Sequence, residues 1–426
     1  MVIGTDAFTS LARAMSAAKD MPHLAHFTVE HPIGGLDPTI VRARADALVA
    51  DVFAALTRDR APAVATAASG GDLVAAPDDH VVVPDDHVVV PDDLDELQQF
   101  VMERGWGDGL PVLPPTSERV ARLLSGWTGA RDQLVATLAP RFGLATVEVI
   151  AVNAALAGAG PEHMPVIVAA VRAAADPAFN LQGVLPTTHP CTPLVIVNGP
   201  VAGRLGVNAG ANALGQGHRA NAVIGRALRL VLQNVAGAIP GLVDRATLGH
   251  PGKYSYCLAE NEAASPWEPL HVERGFGADE SCVTVCAGEA PHNVNDHGST
   301  TPEGLLTALA GTASITGSNN IYLAGEPLVI LGLEHAATIA AASWSKADFK
   351  RALWERARVR LGRFSAENLA RFAIIDPARF RDRSPDDDVA IALTPEDIMV
   401  IVAGGPGKHS VIVPTFGATR SVTVRI

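Results

Sequence analysis

Cysteine is scarce. The 426-residue chain has four, at Cys191, Cys257, Cys282 and Cys286, too few for a secreted disulfide scaffold and in keeping with a reducing cytoplasm. Positive charge is in deficit, 33 Lys+Arg against 45 Asp+Glu for a net charge of −12, which excludes a general nucleic-acid-binding face. No stretch of about 18 apolar residues escapes charge, proline or glycine, and Met1 to Asp6 lack a basic region followed by an apolar one, so the expectation is a soluble chain that is neither exported nor membrane-spanning. No strand-like segment is followed by a G-x-G-x-x-G or G-x-x-x-x-G-K-[ST] fingerprint, and no C-x-x-C occurs. Aromatic residues are only 5%.

Apolar residues, by contrast, make up 48% against 18% charged, enough for a large core divided into two or three units. With 39 Gly and 30 Pro, many turns are set by special backbone geometry. Residues 5 to 20 carry Phe8, Leu11, Ala12, Met15 and Ala18 at helical spacing; 24 to 29 read as a strand and 38 to 58 as a helix. This helix-strand-helix piece, residues 1 to 60, is small for an independent core and should dock on something else. Residues 61 to 93 form an Asp/Pro-rich linker in which Pro-Asp-Asp-His-Val-Val-Val occurs at 77 to 83 and again at 84 to 90. Proline every seventh residue denies a helix.

From 94 to 426 helical and strand-like stretches alternate. Helices are expected at 94–104, 116–126, 145–158, 163–175, 217–236, 302–314 and 346–359, and strands at 194–198, 254–259, 283–286, 328–331, 398–403 and 409–413. The fold class is α/β, a mostly buried mixed sheet with flanking helices, because runs such as Leu194-Val195-Ile196-Val197 leave no polar face.

Five polar clusters sit at strand ends and Gly/Pro turns, where α/β proteins build sites. In Thr187 to Pro193, two prolines clamp Cys191 with His189 nearby, so a thiol activated by an imidazole or a structural cysteine both fit. Asn208 to Asn221 leads through glycines into a long helix, where Asn212, His218 and Arg219 suit an anion. Gly249 to His271 gathers Lys253, Cys257, Glu260, Asn261 and Trp267; alternation puts Cys257 and Ala259 on one face and Leu258 and Glu260 on the other. Ser281 to Gly298 offers His292 and His297 with Asp296, joined by Cys286, as ligands for zinc or another divalent ion. The last cluster pairs Gly332-Leu333-Glu334-His335 with Ala403 to Ser410, whose glycines and Lys408 suit an anion.

The stretch from Asp6 to about Leu56, especially Val29-Glu30-His31-Pro32-Ile33-Gly34-Gly35-Leu36, resembles the distal half of small bacterial proteins named for a U-G-S-C or C-G-S-C motif, where U is selenocysteine. Glu103-Arg104-Gly105-Trp106-Gly107-Asp108-Gly109-Leu110-Pro111-Val112, Ala259-Glu260-Asn261-Glu262 and Gly404-Gly405-Pro406-Gly407-Lys408-His409-Ser410 resemble the larger companion region found with them. The resemblance implies thiol or selenol chemistry. The motif itself is absent here, so the reactive chalcogen would come from a separate small subunit or has been lost.

These readings converge on a thiol-dependent enzyme acting on a small anionic substrate. Cys191 or Cys257 attacks or reduces it, His189 or His292 moves the proton, Lys253 and Glu260 assist, and Asn212, His218, Arg219, Asn261, Trp267 and Lys408 bind. The alternatives are a divalent-metal hydrolase or lyase on His292, His297 and Cys286, with Glu334 or His335 as further ligands, and a non-catalytic large subunit that scaffolds a redox partner. An oligomer is expected.

Overall fold

The computed structural model describes residues 2–18, 21–31, 33, 36–57 and 88–426. In chain order its strands are β1 (Val2–Thr5), β2 (His26–Val29), β3 (Leu134–Leu138), β4 (Gly143–Thr146), β5 (Thr192–Asn198), β6 (Cys257–Ala259), β7 (Cys282–Gly288), β8 (His292–Asn295), β9 (Leu328–Leu331), β10 (Arg358–Arg360), β11 (Asp388–Ala390), β12 (Met399–Val402), β13 (His409–Val413) and β14 (Val422–Arg425). The α/β class is as expected, and in place of one sheet the main part has two four-stranded sheets beside the small pairs β3-β4 and β10-β11.

At the N-terminus, β1 and β2 pair in parallel beside helices Thr9–Ala18 and Pro38–Thr57. The expected helix-strand-helix order is present, with β1 added ahead of it. Most of the proposed linker, including both complete heptapeptides as far as residue 87, lies outside the described residues; residues 88 to 93 carry neither helix nor strand.

The main part is layered helix, sheet, sheet, helix. The first sheet has the order β14-β7-β5-β6 and the second β12-β9-β13-β8. All seven residues of β5 are buried, because the strand is covered on both faces. Val195 and Val197 join the core built with helices Val147–Leu156, Met164–Ala175 and Arg219–Asn234, while Leu194 and Ile196 face Leu328, Ile330, Met399 and Ile401 of the second sheet. The outer face of that sheet, through Val329, Leu331, Val400 and Val402, packs on helices Pro302–Ala313, Leu333–Ala341 and Lys346–Arg356.

Both sheets follow one plan. A parallel pair (β5 with β6, β9 with β12) is flanked by an antiparallel strand (β7, β13), and a further antiparallel strand closes the edge. The closing strands are exchanged: β8 follows β7 but joins the second sheet, and β14 follows β13 but joins the first. Details repeat as well. Each central strand runs through a glycine, Gly199 or Gly332, into a helix. A Cβ on either glycine would overlap a backbone carbonyl opposite, that of Glu280 or of His409. A serine hydroxyl then receives a backbone N–H beside each turn, Val201 N to Ser281 Oγ at 3.0 Å and Gly332 N to Ser410 Oγ at 3.1 Å.

The expected helices and strands of the main part are present; the helices are shorter than expected, β5 and β7 are longer, and β9 and β13 match. The strand expected from 254 begins only at Cys257, because Pro251–Lys253 form a 3-10 turn and the Ser255 hydroxyl donates to the carbonyls of Asn221 and Ala222. The β3-β4 hairpin, β14 and helix Leu333–Ala341 are additions to the sequence reading.

Candidate active site at the carboxyl edge of the strands

Parallel strands deliver polar residues at their carboxyl ends. Here the edge strands β6 and β12 of the two stacked sheets are tied together, since Asn261 N, just beyond β6, donates to Val402 O at the end of β12 at 2.8 Å. Gly404 N in turn donates to Ala209 O at 2.8 Å, drawing the 208–212 loop to the same edge.

Asn198, the last residue of β5, is fully buried, and Glu260, the first residue past β6, is 4% exposed. Glu260 Oε2 accepts from Asn198 Nδ2 and from Leu270 N, both at 2.8 Å. The other Asn198 amide proton goes to Glu262 Oε1 at 2.9 Å, which also accepts from Gly199 N at 2.7 Å. Gly199 has φ 81°, so glycine suits this turn on conformational as well as steric grounds. His271, fully buried, places Nδ1 3.9 Å from Glu262 Oε1, too far for a hydrogen bond.

Four buried polar atoms in this nest have no hydrogen-bond partner among the described residues: Glu260 Oε1, Asn198 Oδ1, and both ring nitrogens of His271. Orphans of this kind cost about 1–3 kcal/mol each, and four together call for a chemical explanation. Burial pushes the Glu260 carboxyl up to about 7, against the opposing pull of Lys346 and the hydrogen bonds from Leu270 and Asn198. A carboxyl poised there can take or give a proton at neutral pH. Lys346 itself donates to Glu268 O at 2.6 Å and to Glu273 at 3.0 Å.

Across the same edge, in the second sheet, His335 Nδ1 meets Ser410 Oγ at 2.8 Å and its Nε2 meets Asp296 O at 3.0 Å. Lys408 Nζ donates to His297 O at 3.2 Å, and His409 lies against His297. The fourth and fifth sequence clusters therefore merge here, and Glu260, Asn261, Asn212, His297 and Lys408 share one end of the molecule.

Cys191, His189 and Lys253 lie at the other end of β5, about 20 Å away by strand rise over seven residues. His189 Nε2 pairs with Glu289 Oε1 at 2.7 Å and its ring stacks on Phe416. Lys253 and Arg229 share the buried Asp244 carboxylate. Beside this group, a cavity of about 330 Å³ is lined by Thr188, Asp244, Arg245 and Thr247 together with Phe8 and His31.

The thiol expectation meets an obstacle in burial. All four cysteines are free and buried. Burial pushes Cys191 and Cys286 up to about 12 and Cys282 up to about 11, and raises Cys257 further, the reverse of what an attacking thiolate needs. Cys257 does fall on the face opposite Leu258, as alternation implied, and that face is core.

The proposed metal ligands are dispersed as well. Among the described residues no three His, Cys, Asp or Glu side chains are grouped to hold an ion. Cys286 is sealed between the sheets, His292 is exposed opposite Ile412, and His297 lies beyond the opposite end of β8. Among the expected binding residues, Trp267 donates to Trp344 O at 2.9 Å and stacks on Phe349, which makes it a packing residue. Arg219 is held on Gly158 O, and the Asn212 amide closes its own loop on Gln216 O. His218 is exposed and makes no capping bond with its side chain.

The sequence reading did not choose Asn198, Glu262 or His271 as site residues, although Glu262 and His271 fell within its third cluster. An Asn closing a buried apolar run before Gly-Pro was the available signal for the first.

Among known proteins, the UGSC family model matches residues 1–58. No curated protein matches the chain, and no solved structure does. No single helix among the described residues is long and apolar enough to cross a membrane.

Proposed function

We propose that this chain is an acid–base enzyme whose proton-transfer group is Glu260, acting on a small polar substrate in a hydrolytic or lyase-type reaction. One observation carries the reading: a buried carboxyl poised near neutral pH, with one oxygen unpartnered, among other unpartnered polar atoms at the carboxyl edge of parallel strands. The chemistry of those atoms indicates the substrate class. Glu260 Oε1 and Asn198 Oδ1 offer lone pairs, and Glu262 adds negative charge, so a hydroxyl, amide or amine suits the nest better than the anion expected from sequence. His271, with one ring N–H in its neutral form, complements them.

The test is turnover of a panel of small amides, hydroxy acids and amino alcohols, followed by mass spectrometry. Glu260→Gln keeps an acceptor for Leu270 N and Asn198 while losing the proton, and should lower turnover by 10²–10⁴-fold. Turnover by the variant at the wild-type rate refutes the role.

A second reading rests on the UGSC match over residues 1–58: the chain is the large companion of a small subunit bearing a C-G-S-C or U-G-S-C motif, which supplies the thiol or selenol that these buried cysteines do not. Four cysteines with no disulfide among them support a cytoplasmic location on this reading. Co-expression with such a subunit and recovery of a stoichiometric complex would support it, and two separately eluting chains would not.

A further inference from the structure

The second sheet carries a feature that the acid–base reading leaves unused. His409, the first residue of β13, and His297, just past β8, are both exposed, and their Nε2 atoms stand 3.4 Å apart. That is longer than the usual 2.7–3.2 Å of an N–H hydrogen bond. The ring centroids are 5.1 Å apart with the planes at 82°, whereas a head-on Nε2–H···Nε2 bond of the same length would hold the centroids about 5.7 Å apart. The rings are inclined to the line joining the two nitrogens.

Those two distances fit another arrangement. Two imidazole nitrogens each 2.0–2.1 Å from one tetrahedral ion lie about 3.3–3.4 Å apart, and their ring centroids about 5.2 Å apart. The tautomer of His409 is suited to it. Its Nδ1 meets Asn293 Oδ1 at 3.1 Å, an oxygen that only accepts, so this contact favours the tautomer with the proton on Nδ1, in which Nε2 presents its lone pair. A carbonyl oxygen on the far nitrogen is the outer support that metal-bound histidines characteristically have. The pairing of β8 with β13 fixes the positions, with His409 opposite Asn295 and Asn293 opposite Val411.

We propose that His297 and His409 form a two-histidine site for a divalent cation of the zinc class, with Asn293 as the positioning residue. Imidazole pairs select zinc, copper or nickel over magnesium or calcium. No third His, Cys, Asp or Glu among the described residues is grouped with them, so the remaining positions go to water or to a substrate oxygen. The site does not depend on the role of Glu260.

The test is calorimetric titration of the untagged full chain with zinc chloride. Wild type should show a saturable site at one ion per chain. His297→Ala and His409→Ala should each weaken it at least tenfold, Asn293→Ala by about tenfold, and His292→Ala should leave it unchanged. All four side chains are exposed, and matching circular dichroism shows that each variant is folded. The proposal is overturned if wild type shows no such site, or if the His297 and His409 variants bind as tightly as wild type.

Discussion

Replacing Glu260 with glutamine should change how stability depends on pH. In the folded chain burial raises this carboxyl from its ordinary 4.5 to about 7. Between those values the folded state holds a proton that the unfolded state has already released, so stability falls as pH rises through that window. The difference is about 2.5 on the pH scale at about 1.4 kcal/mol each, or about 3 kcal/mol lost by pH 7.5. Glutamine carries no such charge. The stability of Glu260→Gln relative to wild type should therefore improve by about 3 kcal/mol between pH 4.5 and pH 7.5, read from urea unfolding followed by tryptophan fluorescence. Other carboxylates cancel in the difference. A wild-type-minus-variant difference that stays flat across the window would refute the reasoning, because it would mean that Glu260 titrates alike in both states.

Lys346→Met removes the main group opposing that rise, so Glu260 should titrate above about 7 in this variant, as read by infrared spectroscopy of the protonated carboxyl. The four thiols should resist a disulfide reagent in the native protein and react after unfolding; one fast-labelling thiol in the folded chain would restore the thiol reading. Arg226 grips Asp108 with two bonds of 2.8 Å, and Asp108 is 5% exposed on its side chain. Arg226→Ala strands that carboxylate and should cost about 3–5 kcal/mol in chemical denaturation. Gly332→Ala drives a Cβ into the His409 carbonyl and should be strongly destabilising, with no recovery on changing pH.

Local features were readable in the sequence where periodicity alone decides them. The unbroken apolar run of β5 announced a strand covered on both faces, and alternation placed Cys257 and Ala259 opposite Leu258. Convergence was not readable, because it depends on which end of a strand points where. His189 and Glu260 fell into one proposed site, yet His189 precedes β5 and Glu260 follows β6, at opposite ends of that parallel pair. The shared plan of the two sheets was hidden by the exchange of β8 and β14, which breaks any simple repeat along the chain. The cysteines drew attention as chemical groups, while their apolar neighbours argued for burial, and burial controls reactivity. His409 was readable as the end of a glycine loop and the start of a strand, but not as a neighbour of His297, which the β8-β13 pairing brings to it.

The central claim is that Glu260 exchanges a proton near neutral pH. Infrared difference spectroscopy of wild type against Glu260→Gln, using glutamate labelled with carbon-13, isolates the stretch of its protonated carboxyl. The account predicts a band absent from the variant that disappears with a midpoint of about 7. A midpoint at the ordinary carboxylate value would contradict it.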